Sequence, residues 1–522
     1  MELLKKNIHM DRVRLRAGTQ ITLEDDRNIP DTKPDVHTLV YEQGQVKIDE
    51  VKPSDEHVTI KGRLLFTILY QTGEGEVALA SVSGEIPFEE QIFMEGVSSS
   101  DHVETSAQLE DLSVGMINSR KINVQAVLGL QLQSEELFEE ETAVDLYREE
   151  PVEYRKQPIN LTQLAIRKND IFRLKEEISL PSNYPNLFEI IYSSATLGDM
   201  EFKALNEKMS VQGELHLFVL YEGEGEEQPI RTFENTIPFS GILECAGCRE
   251  TMVPDIRYEI GHLEIDARPD LDGEERIISV EMVLDILMRL YEEERVELLT
   301  DVYGVTQEVD AQLKQAEFKQ LLARNMGKSK VTDHIRLEDD DAKILQVVHA
   351  EGNVEVDDTR IVEDGIQIDG SIAVKVLYVT GDDSRPYGSV RRQIPFSYTL
   401  EVSGIREGDN YSVSPDLEQL AVVMLDSEEM DVKAVVGLKA IAFRKLLQNI
   451  IEQIRIGEID TNILNELPGI VVYTVQPGDS LWKIGKKYYV SVEAIKAMNN
   501  LTSDEIRPGD KLLIVKYPNG DG

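Results

Sequence analysis

The sequence predicts a mainly β protein: three copies of one β-rich domain, then a small βααβ module at the C-terminus. Three observations carry this. A run of alternating apolar residues recurs three times at whole-domain intervals. Glycine-rich turns follow the first two runs. The last stretch, about residues 471–516, changes to a strand–helix–helix–strand pattern.

The repeat is the strongest signal, and repeats of this kind set the reading of everything else. The runs are Gly62-Arg63-Leu64-Leu65-Phe66-Thr67-Ile68-Leu69-Tyr70, Gly213–Tyr221 and Gly370–Tyr378, with Gly and Tyr eight residues apart in each. An Ile-Pro-Phe triplet follows: Ile86-Pro87-Phe88, Ile237-Pro238-Phe239 and Ile394-Pro395-Phe396, with 25 residues from Gly to Pro every time. Leu64, Phe66, Ile68 and Tyr70 alternate, as do Ile372, Val374, Val376 and Tyr378. A period of two puts each set on one face of a strand. The turns Thr72-Gly73-Glu74-Gly75-Glu76 and Glu222-Gly223-Glu224-Gly225-Glu226 then imply hairpins or sheet corners. The apolar alternation is core. The tyrosine is expected to cap that core with its hydroxyl at the surface.

The likeness extends outward. Gly129 in Ala126-Val127-Leu128-Gly129-Leu130 and Gly437 in Ala434-Val435-Val436-Gly437-Leu438 each lie 42 residues after their proline. The related Val283-Leu284-Asp285-Ile286-Leu287 comes five residues late, which puts an insertion in the turn Pro269-Asp270-Leu271-Asp272-Gly273-Glu274. Pro30 and Pro34 precede Gly62 as Pro181 and Pro185 precede Gly213, whereas the third copy has Glu338-Asp339-Asp340-Asp341 there. Spacings of 151 and 157 residues are domains, not solenoid units. The expected division is 1–155, 156–310 and 311–455, a linker over 456–470 ending Leu467-Pro468-Gly469, and the terminal module 471–516. Helices are expected over Glu135–Glu141, over 310–324, and over the amphipathic series Phe443, Leu447, Ile450, Ile451 and Ile454.

Composition narrows the function. The 522 residues hold 54 basic and 97 acidic side chains, a net charge of −43. Nucleic acid and anionic membrane would repel such a chain. No apolar run approaches the roughly 18 residues of a spanning helix, and Met1-Glu2-Leu3-Leu4-Lys5-Lys6-Asn7 lacks a secretory core, so a cytoplasmic protein without membrane insertion is expected. Two cysteines argue against a disulfide framework.

No catalytic or metal constellation stands out, and no cofactor is expected. Cys245-Ala246-Gly247-Cys248 lacks a second ligand pair for zinc and does not open a βαβ helix, so the two cysteines are expected to be incidental small residues. The histidines form no H-E-x-x-H, and no G-x-S-x-G or phosphate loop occurs. Glu292-Glu293-Glu294 and Asp339-Asp340-Asp341 are solvated surface rather than calcium loops.

The C-terminus differs in kind. Tyr473-Thr474-Val475-Gln476-Pro477-Gly478-Asp479-Ser480-Leu481-Trp482 opens it, and Ile506-Arg507-Pro508-Gly509-Asp510-Lys511-Leu512 closes it. Ser480 and Ser491 are placed to cap two helices, with Glu493 in the second one's first turn. Trp482, Ile484 and Ile495 are the expected core, and Pro508-Gly509-Asp510 turns the chain into the last strand. The segment holds seven Lys or Arg and five acids on an otherwise acidic chain.

These residues closely resemble a LysM module, a βααβ domain that binds N-acetylglucosamine-containing glycans. The resemblance implies a ligand groove at Gly478, Asp479, Ser480, Leu481, Asn500, Leu501, Ile506 and Pro508. Tyr489 stands where relatives often have Gly, which implies a strained or different turn. The three repeats resemble SPOCS domains, and the whole chain resembles the SipL type of spore-coat morphogenetic protein. That likeness implies a non-catalytic scaffold on the mother-cell side of the forespore surface, with a SpoIVA-like coat ATPase and other coat proteins as partners. The alternative is a wall-associated binder of peptidoglycan.

Overall fold

The structure, a computed structural model, describes residues 2–73, 79–147, 152–225, 230–338, 342–459 and 469–515. Glu74, Gly75, Glu76, Glu226, Asp339, Asp340, Asp341 and most of the expected linker lie outside the described residues.

Each repeat folds into two three-stranded antiparallel sheets. In the first, β3 (His57–Thr72) lies between β2 (Val36–Ser54) and β4 (Leu79–Phe93), while β6 (Lys121–Tyr147) lies between β1 (Glu2–Asn28) and β5 (His102–Asn118). The second repeats this with β7 (Val152–Ser179), β8 (Leu187–Leu205), β9 (Lys208–Gly223), β10 (Ile230–Glu244), β11 (Val253–Pro269) and β12 (Glu275–Gly304). The third uses β13 (Glu308–Arg336), β14 (Ile344–Val362), β15 (Gly365–Thr380), β16 (Tyr387–Glu401), β17 (Asn410–Met424) and β18 (Glu429–Gly457). The terminal module pairs β19 (Ile470–Thr474) with β20 (Lys511–Val515) and carries α1 (Leu481–Tyr488) and α2 (Val492–Asn499).

The alternating runs are the central strands β3, β9 and β15. Leu64, Phe66, Ile68 and Tyr70 are buried against Ile122, Val124, Ala126 and Leu128 of the facing sheet. The fixed Gly-to-Pro spacing has a steric origin. Gly62 pairs with Phe88, Gly213 with Phe239 and Gly370 with Phe396 across the β3–β4 type of ladder. A Cβ on Gly62 would stand 2.5 Å from the Lys47 carbonyl oxygen and 2.7 Å from the Phe88 ring. The phenyl ring lies where the glycine has no side chain, and the preceding proline sits on an edge strand, where a missing N–H does least harm.

The tyrosine hydroxyl is not at the surface as expected. Tyr70 Oη donates to the Pro34 carbonyl at 3.0 Å, and Tyr221 Oη to Pro185 at 3.2 Å. Burial pushes both phenols up to about 12. Arg120 and Arg276 hold the same proline loops, donating to Pro30 and Pro181 carbonyls at 2.8 Å each. The insertion falls where expected. Met116 faces Ile122 and Met424 faces Met430, five residues intervening, whereas ten separate Ala267 from its partner Ile278. Cys245 and Cys248 occupy the positions of Met94 and Val97 and of Val402 and Ile405, all buried, around a left-handed glycine in each copy. Burial, then the neighbouring Cys248, pushes the Cys245 thiol up to about 11. They fill core.

None of the three expected helices forms there; Glu135–Glu141 lies in β6, 310–324 in β13 and 443–454 in β18. The glutamates of β6 face bases on β1: Arg12 to Glu136 at 2.8 Å and Lys5 to Glu141 at 2.7 Å. In β18 Ile450 and Ile451 are buried on opposite faces of the ribbon, and a bulge at Glu452, opposite Gln312 and Leu313, brings Ile454 to the face of Ile451. A bulge inside a strand buried on both faces imitates a helical apolar period.

Those long strands knit the repeats together. The β1–β6, β7–β12 and β13–β18 pairs run past their own sandwiches as two-stranded ribbons. One core gathers Ile8 and Met10, Ile159 and Leu161, and Ala316 and Phe318, which are matching positions of the three copies. A second core gathers Leu69, Leu220 and Leu377 from the other three sheets. The repeats therefore surround a pseudo-threefold axis. Beside the first of these cores lies a cavity of about 1950 Å³ lined by all three repeats, Asp11, Glu104, Arg289, Lys319 and Tyr411 among them.

Polar groups on the axis break the symmetry. Tyr41, Tyr192 and His349 are equivalent positions. Tyr41 Oη donates to Glu351 at 3.0 Å, Tyr192 Oη donates to the same carboxylate, and His349 Nε2 lies 3.2 Å from it. Burial alone would raise the Glu351 pKa; His349 and the two phenols outweigh it and hold the group below its ordinary value. Between the first and second repeats, burial would likewise discharge Arg289. Glu104, Glu135 and Asp255 outweigh that and hold its pKa above the usual guanidinium value.

Two outcomes are expected. Gly62→Ala costs about 1–3 kcal/mol in urea unfolding, because the new methyl meets backbone as well as the Phe88 ring. Glu351 has a folded pKa below its unfolded one, so its contribution is present above about pH 4.3 and is lost as pH falls through the folded value. Glu351→Gln should therefore flatten the acid limb of the stability curve measured by thermal melting from neutral pH downward.

A terminal module seated on the repeats

The module closes on a core of its own: Val475, Leu481, Ile484, Val490, Ile495, Leu512 and Ile514. Ser480 caps α1 by accepting the Lys483 N–H at 3.2 Å, and Ser491 caps α2 by accepting the Ala494 N–H at 3.2 Å. Asn499 ties α2 to the sheet in a way the sequence did not announce. Its Nδ2 donates to the Leu513 carbonyl at 2.8 Å, and its Oδ1 accepts the Leu513 N–H at 2.6 Å.

The two loops flanking the expected groove are twin Pro-Gly-Asp turns. In one, the Asp479 N–H donates to the Gln476 carbonyl at 3.1 Å, and its carboxylate accepts the Gln476 N–H at 2.8 Å. In the other, the Asp510 N–H donates to the Arg507 carbonyl at 3.0 Å, and its carboxylate accepts the Arg507 N–H at 2.8 Å. Gly478 at φ 87° and Gly509 at φ 95° take the positive-φ position that such a turn gives to glycine. Backbone bonds from Val475 to Asp510 (2.8 Å) and from Gly509 to Val475 (2.9 Å) set the turns side by side. The Gln476 N–H, then the Tyr473 hydroxyl, hold the Asp479 carboxyl below its ordinary pKa.

The eight expected groove residues do not all face outward. Gly478, Asn500 and Pro508 are exposed. Asp479, Ser480, Leu501 and Ile506 are half-buried, the last two against the module core. Leu481 is 1 % exposed inside that core. Asn500 ends α2 in the left-handed region, its N–H on the carbonyls of Ala497 and Lys496.

Trp482 is not part of the module's core, as the sequence suggested. It is 6 % exposed because it packs on the second repeat. Its Nε1 donates to Asp301 Oδ2 at 2.7 Å, its ring meets Tyr303 edge-on at 4.8 Å, and the Arg155 guanidinium lies 4.6 Å over it. Lys486, one turn on, pairs with Asp301 Oδ1 at 2.6 Å, and Tyr303 Oη donates to the Val490 carbonyl at 2.9 Å. Gly485 must be glycine here, since a Cβ would stand 2.4 Å from the Tyr303 hydroxyl oxygen. Tyr489 does adopt the left-handed conformation, φ 55°, and its hydroxyl reaches Glu308 at 3.4 Å. The face of α1 is thus occupied by the repeats, and both Pro-Gly-Asp turns remain outside the seat.

Among the described residues no group of three or more His, Cys, Asp or Glu is placed to hold a metal ion, and no helix is long and apolar enough to cross a membrane. A family model for the SipL SPOCS domain matches residues 35–117, 187–268 and 343–425, and one for the LysM domain matches residues 473–515. The N-acetylmuramoyl-L-alanine amidase sle1 of Staphylococcus saprophyticus is 50% identical over 42 residues, 8% of this chain and 13% of that protein. The protein of the same name from Staphylococcus aureus strain USA300 is 45% identical over 42 residues, with the same coverage. The chain thus spans about an eighth of the length of these relatives, and only the LysM region matches them. No solved structure matches significantly. SPOCS and LysM domains are binding modules, not catalytic ones.

Trp482→Ala is expected to release the module without unfolding it. Ile484→Ala, at a 1 % exposed core position, is expected to unfold it, at about 2–5 kcal/mol. Amide exchange of β19 and β20 checks this: protection survives the first substitution and is lost in the second.

Proposed function

Starting from a chain that carries three SPOCS domains of the SipL family and one LysM domain, we propose that this protein is a non-catalytic scaffold of the bacterial endospore coat. It acts in the cytoplasm on the mother-cell side of the forespore surface, where it recruits or encases coat proteins. Its principal partner is a SpoIVA-like coat ATPase, and the LysM domain is the recognition module. The observation that supports this reading is the seating of the module: three repeats locked through shared cores carry it by α1, with Gly478, Asn500 and Pro508 exposed. Backbone polar groups at the two turns suit a protein loop as well as an acetamido group. The module's excess of bases favours an acidic partner, screened beyond about 8–10 Å.

A second reading is kept by one observation, the likeness of residues in the LysM region to proteins named as N-acetylmuramoyl-L-alanine amidases. There the same groove takes an N-acetylglucosamine-containing glycan of peptidoglycan.

The two readings part in a binding experiment on full-length protein and on the double variant Arg507→Glu, Pro508→Glu, which puts two negative charges on an exposed turn. Leu481→Lys is unsuitable, because Leu481 is core. The scaffold reading expects capture of the coat ATPase from sporulating cells, at least tenfold weaker for the variant, and no capture by a chain ending near residue 465. Micromolar binding of chito-oligosaccharide with no coat protein captured would replace it with the glycan reading.

A further inference from the structure

The module rests on an Asp-x-Tyr pair of the second repeat, and the first repeat carries the same pair. Strand register defines the equivalence. β12 places Asp301 opposite Arg155 and Leu299 opposite Lys156, with Thr300 bulged between. β6 places Asp145 opposite Leu4 and Ala143 opposite Lys5, with Val144 bulged between. Asp145 and Tyr147 therefore stand where Asp301 and Tyr303 stand. Their local bonding agrees: Asp145 Oδ1 accepts the Leu146 N–H at 2.8 Å, and Asp301 Oδ1 accepts the Val302 N–H at 2.9 Å. The third repeat has the same bulge but puts Gln453 and Arg455 at these positions. The two seats differ in cover. Tyr303 is 3% exposed beneath the module, whereas Tyr147 is 61% exposed and Leu4, the counterpart of Arg155, is 50% exposed.

We propose that the Asp145–Tyr147 edge of the first repeat is a second docking seat, and that its occupant is the LysM module of another copy of this chain. The module is the element that the matching seat already receives. Trp482 and Lys486 share one face of α1, four residues apart, and so reach an aromatic ring and a carboxylate set two residues apart on a strand. Asp145 already takes the Lys156 ammonium at 3.0 Å and the Leu146 N–H at 2.8 Å, and a carboxylate offers about four acceptor sites in all. The module carries seven bases against five acids and meets an otherwise acidic body. A copy gives its module and receives another at a different surface. Two copies can exchange modules reciprocally into a closed dimer, or pass them on into rings and open chains. The inference stands on the repeat geometry alone, and its test is separate from any test of the coat partner.

The module's own seat competes, since it is held there at high local concentration. That competition gives variants of opposite sign. Sedimentation velocity of the full-length chain across a micromolar series should show concentration-dependent association. Tyr147→Ser, at an exposed position, should weaken it about tenfold or more, as loss of an anchoring aromatic does. Arg155→Ala, also at an exposed position, loosens the chain's own seat and should strengthen association several-fold. Trp482→Ala should abolish it in both backgrounds. Protein that stays monomeric throughout, with and without Arg155→Ala, overturns the proposal. So does association that Tyr147→Ser leaves unchanged.

Discussion

The structure depends on one constraint: each repeat makes a two-stranded ribbon that cannot bury itself. A lone two-stranded ribbon has no second layer and is marginal in water. Ile8 and Met10 would face solvent if Ile159, Leu161, Ala316 and Phe318 were not there to meet them. Three ribbons give each other the missing layer. The sandwich cores are local to each repeat, but the cores on the axis exist only when all three copies are present. Joining the copies in one chain supplies them at fixed stoichiometry and lowers the entropic cost of bringing them together.

One chain also frees the copies from identity. A homotrimer would put the same residue at all three equivalent positions on its axis. Here His349 stands where the other two copies have Tyr41 and Tyr192, and Thr67, Phe218 and Lys375 all differ. The differences interlock: His349 stacks on Phe218 at 3.8 Å, and Lys375 lies 4.4 Å over the Tyr41 ring while pairing with Glu42 at 2.6 Å. Side chains of this sort specify which copy sits beside which, since exchanging the first two repeats would put Thr67 where Phe218 now stacks on His349. The same freedom lets one Asp-x-Tyr pair seat the module while the third repeat replaces its own with Gln453 and Arg455.

Much of this was legible in the sequence, for physical reasons that can be named. The Gly-to-Pro spacing was legible because a cross-strand glycine–phenylalanine pair fixes register, and a slip of one residue would turn every side chain to the wrong face. The twin Pro-Gly-Asp turns were legible because few other residues take that geometry. The ribbons were not legible. Their glutamates, and isoleucines set around a bulge, carry helical spacing, and only the partner strand shows that Arg12 and Lys5 answer the acids. Trp482 was misplaced for a related reason. A large aromatic in a small module suggests core until a second surface is known, and Asp301, Tyr303 and Arg155 lie 150 or more residues away in sequence. Leu481 was assigned to the groove because loop position says nothing of side-chain direction; its side chain points into the module.

The seating of the module decides what the chain can present. Had the module hung from the linker alone, every face of it would be open and its orientation free. Instead Trp482, Gly485 and Lys486 commit α1 to the second repeat, and the left-handed Tyr489, an expensive choice where glycine would be free of strain, reaches Glu308. The residue that looks wrong for the module in isolation makes sense against the body. Strain at that turn is offset by contact outside the module, so the departure from the glycine usual in its relatives and the docked arrangement explain each other. What remains uncovered is the end bearing both Pro-Gly-Asp turns, held at a fixed place relative to three repeats whose own positions are set by the cores on the axis. A ligand at those turns is therefore oriented relative to the whole assembly rather than to a tethered domain.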